Sequence, residues 1–229
     1  NFVNPLYICN MQTDTVIFDM DGLLIDSEPL WEEAAAEVLQ EFNIQLTTKQ
    51  YHDTRGLRTE EWTTHWFHHF KINPDFISGA IALSIQKAIE KIDTRGVAMP
   101  GVQEIFALFK QHKYKIGLAT SSPMAVVHVV AEKLNIGRYL QAMTSAQFLS
   151  YGKPHPEVYL TCAAELQSAP VKCLCFEDSF NGMIAAKSAR MKCVVIPDRV
   201  MRDQLQWNAA DLKLNSLADF GEDELNLFH

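Results

Sequence analysis

The stretch VIFDMDGLLIDSEPLW, residues 16–31, decides how the chain is read. A short apolar run ends in two carboxylates, Asp19 and Asp21, two positions apart. In extended backbone, side chains at i and i+2 lie on the same side. The pair therefore repels unless a cation, a shared proton or a reaction employs it. Residues 15–18 are β-branched and aromatic, the pattern of a buried strand. Asp26 or Ser27 then offers an N-cap, and Pro29 falls in the first turn of a helix extending to about Phe42.

Working outward, residues 47 to about 94 read as helical, with no convincing strand. Beyond MPG (99–101) the texture changes to short alternating elements. VQEIFALFKQH (102–112), PMAVVHVVAEKL (123–134), PEVYLTCAAEL (156–166) and NGMIAAKSAR (181–190) read as helices. YKIGLAT (114–120), LQAMTS (140–145), KCLCFED (172–178) and KCVVIPD (192–198) read as strands. Such alternation predicts an α/β fold, a Rossmann-like doubly wound parallel sheet with helices on both faces. The helical block after the first strand reads as an insertion lying over the strand ends. Ligands of such sheets sit at the carboxyl ends of the strands.

Bulk properties narrow the classes. The chain has 229 residues, 48% apolar and 21% charged, an ordinary globular balance. No stretch reaches eighteen consecutive apolar residues, so no membrane span is expected. A formal charge of −8 argues against a nucleic-acid surface. It leaves a phosphorylated small substrate open, because a lysine and a metal ion reverse the field locally. The five cysteines (Cys9, Cys162, Cys173, Cys175 and Cys193) are an odd count and fall mostly in apolar runs. That suggests reduced core thiols and a cytoplasmic location. Cys173 and Cys175 share one strand face and read as packing rather than as a metal pair. Residues 1–10 lack the pattern of a secretion signal, and Met11 is a plausible native start.

The residues after the strands carry the chemistry. They are Asp19 and Asp21, then Thr120 and Ser121, then Lys153 in YGKPHPEVY, then Glu177 and Asp178. Oxygen ligands from Asp19 and Asp178 suit Mg²⁺, which relieves the carboxylate repulsion and also binds a phosphate oxygen. Asp19 is the candidate nucleophile toward phosphorus, and Asp21 the candidate general acid and base. Thr120 and the Ser121 N–H suit phosphate oxygens; Lys153 adds a point charge. Singly, Thr120 reads as a helix cap and Lys153 as a surface lysine. The ordering on successive strand ends carries the inference.

FDMDG, LATSS, GKPHPEVY and FEDSFNG, in that order, resemble the motifs of the haloacid dehalogenase superfamily of phosphotransferases. With DSEPLW they are most similar to its sugar-phosphate phosphatases near β-phosphoglucomutase, of the hexitol-phosphate or 2-deoxyglucose-6-phosphate type. The resemblance implies Asp19 as nucleophile and metal ligand, Asp21 as acid/base binding metal through its carbonyl, and Asp178 as a ligand. Glu177 is either a direct ligand or an acceptor for a metal-bound water. The resemblance further implies a core of residues 11–23 and 95–229 and a helical cap of 24–94.

Trp31 and Pro123-Met124 stand where the mutase branch has a His and a basic residue, which favours water as final acceptor. The expected activity is Mg²⁺-dependent hydrolysis of a small phosphorylated sugar or polyol by a monomer. A phosphosugar mutase and a phospho-receiver module are the alternatives.

Within the cap, Glu28 and Trp31 are candidates for hydroxyl contact and stacking. Arg55 and Arg58, flanking Gly56 in DTRGLRTEEW (53–62), suggest a specificity turn or a surface loop. His65, His68 and His69 have helical spacing but no adjacent acid or Cys, and read as an amphipathic face rather than a zinc site. Trp62, Trp66 and Phe70 read as cap core.

Overall fold

The computed structural model describes residues 12–54 and 56–228. Cys9, Met11 and Arg55 lie outside the described residues.

Period-two burial organises the sheet. On β1 (Thr15–Phe18), Val16 and Phe18 enter one apolar cluster and Ile17 enters another. The same alternation holds in β4 (Cys173–Glu177), where Leu174 and Phe176 face the first cluster and Cys173 and Cys175 the second. A strand buried on both faces is the mark of a parallel sheet covered by helices on each side. With β2 (Lys115–Thr120), β3 (Ala142–Ser145), β5 (Lys192–Val195) and β6 (Leu212–Lys213) the order is β3-β2-β1-β4-β5-β6. Every pairing is parallel.

The helices between strands take sides by their apolar stripes. α5 (Val102–Gln111) buries Val102, Ile105, Phe106 and Phe109, one face at helical spacing. It packs on the first cluster, where Phe18 stacks on Phe106 at 4.7 Å and on Phe176 at 5.0 Å. α6 (Met124–Lys133) joins it there. α7 (Glu157–Glu165) and α8 (Phe180–Ser188) cover the other face. The two-residue β6 and the closing helix α9 (Glu222–Asn226) were not foreseen, because elements that short carry no readable period. Leu225 of α9 packs into the first cluster.

Between β1 and α5 lie four further α-helices: α1 (Glu28–Gln40), α2 (Thr48–Asp53), α3 (Thr59–His69) and α4 (Ile77–Arg95). They share a separate cluster of Val38, Leu39, Ile44, Leu46, Trp66, Phe67 and Ala80. His65, His68 and His69 are exposed on α3, as an amphipathic helix requires. The two strands of chain entering and leaving this block pair with each other. Asp26 N–H donates to Val97 O (2.9 Å) and Met99 N–H to Leu24 O (2.9 Å), around an antiparallel bridge of Ile25 with Ala98. Leu24 and Ile25 themselves pack in the main core.

No described helix is long and apolar enough to cross a membrane. Cys162, Cys173, Cys175 and Cys193 are free and buried. Burial pushes the Cys162 thiol up to about 12 and the Cys173 thiol to about 11, and holds Cys175 and Cys193 well above the ordinary range. Since the thiolate is the reactive form, iodoacetamide should leave all four unmodified in the folded protein, read by mass spectrometry. Rapid alkylation of any of them without denaturant would contradict this packing.

Candidate active site

The sheet order reverses around β1, whose neighbours β2 and β4 lead to opposite edges. That reversal opens a crevice at the carboxyl ends of the strands, and the residues there meet beneath the helical block. Asp19, Asp21, Thr120, Ser121, Lys153, Asp178, Glu28 and Trp31 all line one cavity.

Alternation explains which partners Asp19 finds. It follows Ile17 in parity, and Glu177 follows Cys175, so both emerge on the α7 side of the sheet. Lys153 arrives there from the loop before α7. Its Nζ donates to Asp19 Oδ1 (2.8 Å), Glu177 Oε1 (2.6 Å) and Ala119 O (3.2 Å). Two carboxylates thus share one ammonium that is 2% exposed. Burial works against the Lys153 charge, but Asp19 and Glu177 outweigh it and hold the ammonium above its ordinary value. Asp19 shows the converse. Burial, then the Glu177 charge, push its carboxyl up to about 8 against the pull of Lys153.

Glu177 does not line the cavity. Besides Lys153 it accepts from the Tyr159 hydroxyl (2.5 Å), the Ser179 hydroxyl (3.2 Å) and the Ser179 N–H (3.3 Å). Its carboxylate lies against Gly182 of α8, where an added Cβ would come within 1.8 Å of Oε1. Only a glycine permits that approach.

Asp21 lines the same cavity and is held by a different set of donors. Its Oδ1 accepts from Ser27 Oγ (2.6 Å) and Trp31 Nε1 (3.0 Å), and its Oδ2 from Ser122 Oγ (2.6 Å). Thr120 Oγ1 stands 3.5 Å from Oδ2 and accepts from the Ser122 N–H (3.1 Å). Ser27 occupies the N-cap position of α1 but makes no cap bond, because its hydroxyl is turned to Asp21. Trp31, expected to offer a stacking surface, lines the cavity and also donates its indole N–H to that carboxylate. Trp62, read as cap core, lines the cavity as well. Ser121 lines it too, with its hydroxyl donated to Gly56 O (2.8 Å) of the helical block.

Arg58 is not brought to the cavity. Its guanidinium pairs with Glu61 (2.6 Å) and donates to Leu149 O (2.8 Å) and Ala146 O (3.3 Å), tying α3 to the loop after β3. The backbone direction at the start of α3 aims the side chain at that loop, which a spacing argument does not reveal. In the sequence Ser27 reads only as an N-cap candidate, and Ser122 and Tyr159 carry no individual signal beyond being the second serine of LATSS and the tyrosine of GKPHPEVY.

The donor set fits a hard divalent cation. One oxygen each of Asp19, Glu177 and Asp178 lies within 4.8 Å of the others, all three residues buried. Buried like charges of this kind call for a positive ion beyond Lys153, and carboxylate oxygens select Mg²⁺ over softer metals. Gly22, at φ +74°, lets the chain turn tightly there, since a Cβ would meet Asp178 Oδ2 at 2.4 Å.

A reversing parallel sheet with buried carboxylates, a lysine and hydroxyls at its switch point defines an α/β protein built to hold an anion beside a cation. The haloacid dehalogenase-like hydrolase family model matches residues 16–196, and the chain belongs to that family. Membership sets the phospho-receiver reading aside. The chain is 38% identical over 210 residues to hexitol phosphatase B of Escherichia coli K12, covering 91% of this chain and 95% of that one. It is 27% identical over 180 residues to the fructose-1-phosphate phosphatase of the same strain, covering 78% and 94%. Among solved structures it resembles β-phosphoglucomutase from Clostridium difficile, with TM-score 0.83, 21% identity and coverage of 94% and 98%. CbbY from Rhodobacter sphaeroides in complex with phosphate matches with TM-score 0.82 and 21% identity, over 93% and 99%. At that identity the two structures speak for the fold.

Proposed function

We propose that the protein is a Mg²⁺-dependent phosphatase of small sugar or polyol monophosphates, working through an aspartyl-phosphate on Asp19. The observation that carries this reading is the buried Asp19 carboxylate, held by Lys153 at 2.8 Å in a cavity that Asp21 also lines. The phosphatase relatives support it, and hexitol phosphatase B favours hydrolysis over the mutase reaction.

Asp19 and Asp178, with the Asp21 carbonyl, would hold the ion. Glu177 is instead a positioning acid, because both of its oxygens are engaged by Lys153, Tyr159 and Ser179. When bound, Mg²⁺ neutralises phosphate charge and offsets the crowded carboxylates. In the first step Asp19 forms a bond to phosphorus and the ester P–O bond breaks; the leaving alkoxide takes a proton from Asp21. In the second, Asp21 takes a proton from water as that water attacks phosphorus, releasing phosphate and Asp19. Thr120, the Ser121 N–H and Lys153 hold the phosphate oxygens. Residues 24–94 act as the cap that excludes bulk water.

The test is phosphate release from a panel of phosphorylated hexoses, pentoses and polyols. Turnover should require Mg²⁺, and full activity in excess EDTA would remove the metal from the account. Asp21→Asn is expected to slow turnover about 10²–10⁴-fold, the range for losing general acid–base catalysis. Unchanged kcat would refute the role given to Asp21.

A further inference from the structure

Most polar groups around the cavity are already partnered within the protein. Asp21 accepts from three side chains, Ser121 and Thr54 donate to backbone carbonyls, and Lys153 is held by Asp19 and Glu177. At the helical-block end the pattern is different. Glu32 on α1, Tyr51 on α2 and Ser84 on α4 line the cavity, and none of them makes a side-chain hydrogen bond among the described residues. Ser84 is 5% exposed. A helical serine ordinarily returns its hydroxyl to the carbonyl four residues back; this one does not. Its hydroxyl lines the cavity and is free to give and accept hydrogen bonds there.

The three groups form one neighbourhood of consistent chemistry. Burial and then the Glu32 charge raise the Tyr51 phenol above its ordinary value, which places carboxylate and phenol in one field. Tyr51 stacks on Trp62 with ring centroids 6.1 Å apart and planes at 19°. Trp62 and Trp31 supply apolar walls of the same cavity. A carboxylate accepts hydrogen bonds only, whereas a phenol and an aliphatic hydroxyl both give and accept. That combination matches a run of vicinal hydroxyl groups. Lys153 is the cation among the described lining residues, and it is engaged at the other end. Glu28 and Glu32 would therefore repel a second anionic group on the substrate.

We propose that Glu32, Tyr51 and Ser84 are the specificity-determining subsite, receiving the hydroxyls of a neutral polyol or sugar leaving group and rejecting one that carries a further negative charge. This rests on the phosphatase reading above.

The experiment measures kcat/KM of the Mg²⁺-loaded enzyme for sorbitol 6-phosphate, gluconate 6-phosphate and p-nitrophenyl phosphate. Ratios between substrates are used because a loss of folded protein cancels in them. Ser84→Ala should lower the ratio of sorbitol 6-phosphate to p-nitrophenyl phosphate about tenfold. Glu32→Gln should raise the ratio of gluconate 6-phosphate to sorbitol 6-phosphate by about the same factor. Ratios within twofold of wild type in both variants overturn the subsite, as does a wild-type enzyme that uses gluconate 6-phosphate as well as sorbitol 6-phosphate. A wild-type protein that releases phosphate from none of the three fails at the phosphatase reading, taking the subsite with it. Unmoved ratios in an active enzyme remove the subsite alone.

Discussion

Asp19→Asn is expected to lower turnover of any phosphate ester by at least about 10⁴-fold, the scale of losing a nucleophile. The amide keeps the shape of the carboxylate but not its attack on phosphorus. The fold should survive, and the thermal midpoint should hold or rise. Asp19 is buried and crowded by Glu177, and its carboxyl is pushed up to about 8. An amide needs neither a proton nor a counter-ion to be buried, so this cost of folding is lost, while Lys153 keeps its 2.6 Å partner in Glu177. Phosphate release and a thermal melt on the same sample decide it. Activity within tenfold of wild type would mean that another group attacks phosphorus.

Lys153→Met is expected to damage stability and activity together. Its side chain is 1% exposed, against 8% for Asp19 and 0% for Glu177. Removing it leaves two carboxylates buried without their shared counter-charge, a change that costs about 3–5 kcal/mol when one member of a buried pair is lost. Methionine nearly fills the volume, so the loss is electrostatic rather than a cavity effect. Adding Asp19→Asn and Glu177→Gln to the same chain should recover much of the stability, although not the activity. Urea denaturation of the three chains is the measurement. A single variant within about 1 kcal/mol of wild type would show that the carboxylates do not depend on Lys153 for burial.

The two predictions also separate parts of the site that were legible in the sequence from parts that were not. Asp19, Asp21, Thr120, Lys153 and Asp178 were found because each follows a strand-like run, and parallel α/β sheets collect such residues at one edge. The role of Trp31 was not legible, because an indole at a helix start reads equally as a stacking ring or as a donor. Its bond to Asp21 depends on how α1 leaves the loop after β1. Arg58 is ambiguous in the sequence for a related reason. A basic residue beside a glycine suggests a binding turn, yet the guanidinium crosses to carbonyls 88 and 91 positions away. For Glu177 the sequence reads equally as a metal ligand or as an acceptor for a metal-bound water, and its contacts with Lys153, Tyr159 and Ser179 depend on how α7 and α8 pack on the sheet.

Periodicity and residue type alone determined that strands and helices alternate, that a helical block interrupts them after β1, and that oxygen-rich residues stand at the strand ends. Those are short-range properties, written in apolar spacing of two or about three and a half residues. Tertiary structure decided which atom each of those residues meets. Asp19 and Lys153 are 134 positions apart, and Asp21 and Ser122 are 101. Contacts of that range depend on strand order and on the direction in which each side chain leaves its element, neither of which a local pattern records.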